Sequence, residues 1–65
     1  MRILVNGAWR ETGGAELASV LAELGYDDAV VATAVNGEFV AAAARPATPI
    51  ADGDRIEVLA PMQGG

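Results

Sequence analysis

Two short apolar runs flank a polar turn within the first dozen positions. In "RILVNGAWRET" an apolar run meets Asn6-Gly7 and a second run follows. This pattern predicts a hairpin closed by a type I′ turn, because both turn residues need positive φ and Asn-Gly supplies it at least cost. Ile3 and Val5 share one face of the first strand, with Leu4 on the other. Gly13-Gly14 ends the second strand. In "AELASVLAELG" the period changes: Leu17, Val20, Leu21 and Leu24 fall at i, i+3, i+4 and i+7, a single helical stripe. Glu16 is expected in the first turn, where the helix dipole favours negative charge. Gly25 stands where a left-handed C-cap belongs, which gives a helix of about three turns.

Beyond the helix, "DAVVATAVNGEFVA" reads as a strand, an Asn36-Gly37 turn and a short return strand. Asp27-Asp28, just after the C-cap, reads as a solvated loop. The segment "AAARPATPIADGD" is the least regular, since Pro46 and Pro49 oppose a long helix or a central strand. Ala41–Ala44 has room for one helical turn, limited by Pro46. Asp52-Gly53-Asp54 is a turn, and "RIEVLA" is the last strand, with Ile56 and Val58 on one face. The predicted order is strand, strand, helix, strand, short strand, strand. One helix packed across one face of a mixed sheet is an α+β arrangement, in the ubiquitin-like β-grasp order. The helix covers one side of the sheet, and no element is left to cover the other.

At 65 residues the chain is expected to form a single domain, and such a domain buries only about 60% of the surface it exposes when unfolded. Without Cys or His there is no disulfide and no soft metal ligand to reinforce it, so packing and local signals carry the fold. Nothing resembles a signal peptide or membrane span, because Met1–Val5 runs directly into a turn; a cytoplasmic location is the expectation. Four arginines, no lysine and nine acidic residues give a net charge of −5. The arginines are scattered, which disfavours nucleic acid as a partner. An acidic surface suits a basic protein partner.

The same composition argues against an enzyme. Nucleophiles, general acids and general bases are drawn mainly from His, Cys and Lys, all absent here. Ser19 reads as an ordinary helix residue with no base beside it. Asp52 and Asp54 could offer oxygens to a divalent ion, but two ligands in a tight turn are too few, and Asp-Gly is a common turn pair. Gly13-Gly14 lacks the following lysine of a phosphate-binding loop. The expectation is no catalytic residue, no metal and no bound cofactor.

The chemistry gathers at the other end, in "APMQGG". Pro61 has no N–H to continue a ladder and biases Ala60 toward extended geometry, so the last strand is expected to stop near Leu59. Residues 60–65 then form a flexible tail reaching at most about 20 Å. Gly64 and Gly65 carry no side chains and can pass through a channel where any Cβ would clash. The Gly65 carboxylate is correspondingly unhindered. For docking, the candidates are Leu4 and Leu59 on the uncovered face, with Met62 and Gln63 in the tail. Trp9 reads as part of hairpin packing.

Taken together, "ILVNGAW", "LASVLAELG", "TAVNGEFVA", "DGDRIEVL" and the terminal "GG" resemble, in order and spacing, the thiamine-pathway sulfur carrier proteins, the ThiS family. The resemblance spans the whole chain. It differs at "AAAARP", where relatives often carry a basic and an aromatic residue. The resemblance implies that a ubiquitin-activating-like adenylyltransferase uses ATP and Mg to convert the Gly65 carboxylate to an acyl adenylate. Sulfur from a cysteine desulfurase-type persulfide then displaces AMP, leaving a thiocarboxylate that serves thiazole synthase. The protein itself would be a reusable carrier.

Related readings stay open on sequence. The small subunit of molybdopterin synthase has a similar ending but a longer chain and a different first strand. A carrier for another sulfur-containing product would share the tail. A protein modifier would join Gly65 to target lysines. A non-reactive binding module would not need the tail at all.

Overall fold

Two Asn-Gly hairpins frame a five-stranded sheet in the computed structural model of the chain, which describes residues 1–26 and 29–60. β1 (Arg2–Val5) and β2 (Ala8–Glu11) form the first hairpin, and β3 (Ala32–Val35) and β4 (Glu38–Val40) the second. Asn6 and Gly7 have φ of 48° and 84°, Asn36 and Gly37 of 50° and 87°, so both turns take the doubly left-handed geometry that their residues favour. β5 (Arg55–Leu59) lies between the hairpins, giving the order β2-β1-β5-β3-β4. It runs parallel to β1 and antiparallel to β3. The last strand of the sequence is therefore the central strand of the sheet.

Helix α1 (Leu17–Glu23) crosses one face. Its Leu17, Val20 and Leu21 are buried with Ile3, Val5, Ile56 and Val58 from the sheet, and Leu24 packs at the margin. Each fully buried aliphatic side chain contributes about 1.5–3 kcal/mol, so this single layer is the main source of stability. Ile50, from the irregular segment, completes the core. The alternation expected of β1 and β5 is observed: Ile3, Val5, Ile56 and Val58 face the helix, and Leu4 and Leu59 face away.

Three local expectations are corrected. The helix spans seven residues, about two turns rather than three. It starts late because Glu16 is extended (φ −135°, ψ 167°) and pairs with Pro49 in an isolated bridge. Glu16 is thus the N-cap and not a first-turn residue. Its side chain does not cap the helix; instead the Thr48 carbonyl accepts the Leu17 N–H at 2.8 Å, and the Ala15 carbonyl accepts the Ile50 N–H at 3.0 Å. At the other end Gly25 (φ 92°) closes the helix as expected, with Gly25 N–H donating to Ala22 and Tyr26 N–H to Leu21.

The second correction concerns Pro46. Rather than stopping a turn before it, the chain forms a 3-10 helix over Ala42–Ala47 that includes it. The fixed φ of proline suits this geometry, and in so short a helix only one N–H is forgone. Third, Ser19 does have a carboxylate beside it: one turn back, Glu16 Oε1 accepts its hydroxyl hydrogen. The pair lies at the start of α1 and ties its first turn. Asp27 and Asp28 lie outside the described residues.

Candidate docking face and tail base

Strand register determines which side chains share the uncovered face. Leu4 lies opposite Trp9 in the β1–β2 pair. Across β3 and β5, Ala32 is opposite Leu59 and Ala34 opposite Glu57, while Ala34 is also opposite Phe39 of β4. Directly opposed residues of an antiparallel pair point to the same side, so Leu4, Trp9, Ala32, Ala34, Phe39, Glu57 and Leu59 all face away from α1.

This face is markedly apolar at one end. Leu59 is 67% exposed, Phe39 73% and Val30 81%. The small Ala32 and Ala34 form the floor of a shallow hollow between Phe39 and Leu59. A second hollow of about 350 Å³ adjoins it, lined by Val30, Val31, Ala32, Leu59 and Ala60. Both open where β5 ends and residues 60–65 begin. Exposed apolar side chains thus gather around the end of β5, with Glu57 at the edge of the first hollow.

Leu4 belongs to a different part of the face. It is opposite Arg55 in the parallel pair, four residues before Leu59, which separates the two leucines by about 13 Å along the strands. Leu4 is half-buried beside Trp9. Trp9 packs within the hairpin as the sequence suggested, yet remains 52% exposed, with the Arg2 guanidinium 4.7 Å from its ring centroid. Such stacking on an exposed ring contributes about 0.5–1 kcal/mol.

Sequence reasoning missed Phe39, Val30 and the exposed half of Trp9. For Phe39 a signal existed. A two-residue turn at Asn36-Gly37 forces Val35 opposite Glu38 and therefore Phe39 opposite Ala34, on the side away from the core. Met62, Gln63, Gly64 and Gly65 lie outside the described residues.

The acidic turn is occupied by its own neighbours. Gly53 has φ 87°. Asp52 Oδ1 accepts the Arg2 N–H at 2.7 Å, and Asp54 accepts from Ala51 N–H at 2.8 Å and Asn36 Nδ2 at 3.0 Å. The carboxylates thus serve the turn, as expected. Among the described residues no group of three metal-ligating side chains comes together, and no helix is long and apolar enough to cross a membrane.

A mixed five-stranded sheet with one helix across a single face defines a ubiquitin-like β-grasp protein, here with an apolar surface at the base of its C-terminal segment. The model of the ThiS family matches residues 3–65, and the chain belongs to that family. It is 40% identical over 63 residues to the sulfur carrier protein ThiS of Thermus thermophilus, covering 97% of this chain and 98% of that one. The crystal structure of the thiamine biosynthesis protein ThiS from Geobacter metallireducens superposes with a TM-score of 0.83 at 35% identity, covering all of both chains. The solution structure of a thiamine biosynthesis protein from the same organism gives 0.78 at 33% identity, covering 100% of this chain and 88% of that one.

Proposed function

We propose that this protein is a sulfur carrier of thiamine biosynthesis, with Gly65 as the residue that bears the sulfur. One observation carries the reading: the family match continues to residue 65 and so includes Gly64-Gly65. The body is residues 1–59, and residues 60–65 are its reactive tail.

A carboxylate is a poor electrophile, so activation must come first. A carboxylate oxygen of Gly65 attacks the α-phosphorus of ATP in a separate adenylyltransferase, and pyrophosphate leaves. The terminal sulfur of a persulfide then attacks the acyl carbon and AMP departs. A second thiol attacks the donor's inner sulfur and forms a disulfide with it, and the broken sulfur–sulfur bond leaves its electron pair on the outer sulfur, which stays on Gly65 as a thiocarboxylate. Thiazole synthase receives that sulfur. ATP and Mg belong to the activating enzyme, and the carrier binds no cofactor of its own.

The body's part is recognition. Leu59 supplies an apolar contact at the tail base, where Phe39 and Val30 extend the same surface. Met62 and Gln63 continue it into the tail, Gly64 provides the slender passage, and Leu4 with Trp9 forms a secondary contact. The test is mass spectrometry of the intact chain after incubation with the activating enzyme, ATP and a persulfide donor. An oxygen-to-sulfur mass increase localised to Gly65 is the expected result. A mass increase elsewhere, or none, overturns the reading.

A further inference from the structure

Glu57 is the one charged residue lining the hollow between Phe39 and Leu59. It stands directly opposite Ala34 of β3, and Ala34 stands opposite Phe39 of β4. The three side chains form a row across the sheet: a carboxylate, a methyl floor and a phenyl ring. Two strand spacings, about 10 Å, separate the outer members of the row. The hollow holds about 110 Å³, well below the roughly 300 Å³ at which small-molecule pockets begin. It has room for the end of one side chain.

Among the described residues no cation of the chain is turned toward this carboxylate. With no lysine or histidine, the cationic groups are four arginines and the N-terminal ammonium. The ammonium donates to the Thr12 carbonyl at 2.8 Å. The Arg2 guanidinium lies over Trp9, at the far edge of the sheet. Arg10 is opposite Ile3 and so faces the side of α1. Arg45 donates to Thr33 Oγ1 at 3.0 Å and to the Val31 carbonyl at 2.6 Å. Arg55 shares the strand and face of Glu57, but its Nη2 lies against the second turn, 3.5 Å from where a Cβ would stand on Gly37. A carboxylate beside exposed apolar groups is thus left for a partner to neutralise.

We infer that this slot takes an arginine side chain of the activating adenylyltransferase, with its guanidinium stacked on the Phe39 ring and forked onto the Glu57 carboxylate. The inference rests on the carrier reading above, which seats that enzyme over Leu59, the next residue along this face. Arginine matches every wall. Its planar fork gives two parallel N–H···O bonds to a carboxylate, its flat face stacks on an aromatic ring, and its methylene stem lies on apolar surface. Lysine is a compact, strongly hydrated point charge with no flat face to offer the ring. A partner without a cation here would strip water from Glu57 uncompensated. The slot therefore selects against enzymes with an apolar or acidic residue at this place.

Calorimetric titration of each carrier chain into the adenylyltransferase tests this. Glu57→Gln is expected to lower affinity about tenfold at low salt and much less at high salt, because the ion pair it removes is screened. Phe39→Leu keeps apolar bulk, removes the ring face and is expected to lower affinity about threefold. The double variant is expected to lose about tenfold, not the roughly thirtyfold of two separate contacts, because both side chains hold one guanidinium. Neither side chain belongs to the core, so denaturant midpoints stay near wild type. The saturated complexes are then labelled with an arginine-selective dicarbonyl reagent and read by peptide mass spectrometry. One enzyme arginine is expected to be shielded by the wild-type carrier and reactive with Glu57→Gln. Unchanged affinity of Glu57→Gln, additive losses in the double variant, or no arginine that behaves so each overturns the inference and leaves the carrier reading standing. Absence of binding by the wild-type chain overturns the carrier reading and this inference with it.

Discussion

Leu59 lies directly opposite Ala32 in the antiparallel β3–β5 pair, and the small size of Ala32 leaves the leucine side chain uncovered at the base of the tail. A larger cross-strand neighbour would bury it and close the hollow they share with Val30 and Ala60. On the proposed carrier reading, this exposure makes Leu59 a contact for the enzyme that holds the tail. Leu59→Asp is expected to weaken binding to the activating enzyme by about tenfold or more, as loss of a central apolar anchor does. The unfolding midpoint should change little, because the side chain is outside the core. Calorimetric titration with the enzyme checks the first expectation, and unchanged affinity removes Leu59 from the docking surface.

Truncation by one residue separates the tail from the body. A chain ending at Gly64, or one carrying Gly64→Trp, is expected to lose sulfur loading entirely while its unfolding curve superposes on wild type. The first ends in the Gly64 carboxylate, about 3.5 Å short of where Gly65 would place it, and the second carries a bulky side chain where the proposed passage admits only glycine. Intact-mass measurement after the loading reaction reads the outcome. Full loading of the shortened chain contradicts the assignment of Gly65.

Close approach of Gly14 to α1 gives a prediction about stability. A Cβ at Gly14 would stand 2.9 Å from the Val20 nitrogen and 3.0 Å from Val20 Cγ2. Helix backbone cannot move aside cheaply, so Gly14→Ala should destabilise the fold by about 1–3 kcal/mol. At Gly13 the nearest atom is the end of the Glu23 side chain at 3.7 Å, an ordinary contact. Gly13→Ala should therefore change stability by no more than about 0.5 kcal/mol. Urea unfolding of the two variants makes the comparison.

Glu23 links α1 to the end of the first hairpin. The Thr12 hydroxyl, and after it the Gly13 N–H at 3.3 Å, donate to its carboxylate and hold its pKa below the ordinary glutamate value. A depressed folded-state pKa means that the contact stabilises above the unfolded-state value and is lost as pH falls through the folded-state one. Wild type should thus lose stability more steeply than Glu23→Gln as pH is lowered from about 6 to about 3. Urea midpoints across that range test this, and parallel curves for the two chains would contradict it.

Much of the fold was legible before any coordinates. Asn6-Gly7 and Asn36-Gly37 specify their turns through backbone sterics that involve no distant residue. The Leu17, Val20, Leu21 stripe and the Ile3/Val5 and Ile56/Val58 alternation follow from helix and strand periods. Helix length was less readable, because α1 begins only where Glu16 is released from its bridge to Pro49, a residue 33 positions away. Ile50 was hidden for the same reason: its burial depends on a segment with no period of its own docking against Ala15.

By itself, the sequence determined the turns, the apolar faces, the lack of a side-chain nucleophile and the glycine ending, since each is a property of residue type or of neighbours along the chain. Only the tertiary structure decided that β5 is central, that Leu4 and Leu59 lie in different parts of the uncovered face, and that Asn6 reaches Val58 across 52 residues. Those outcomes depend on which strands pair and in what register. Pairing is settled by burial of the shared core under α1, a condition on the whole chain that no local window contains.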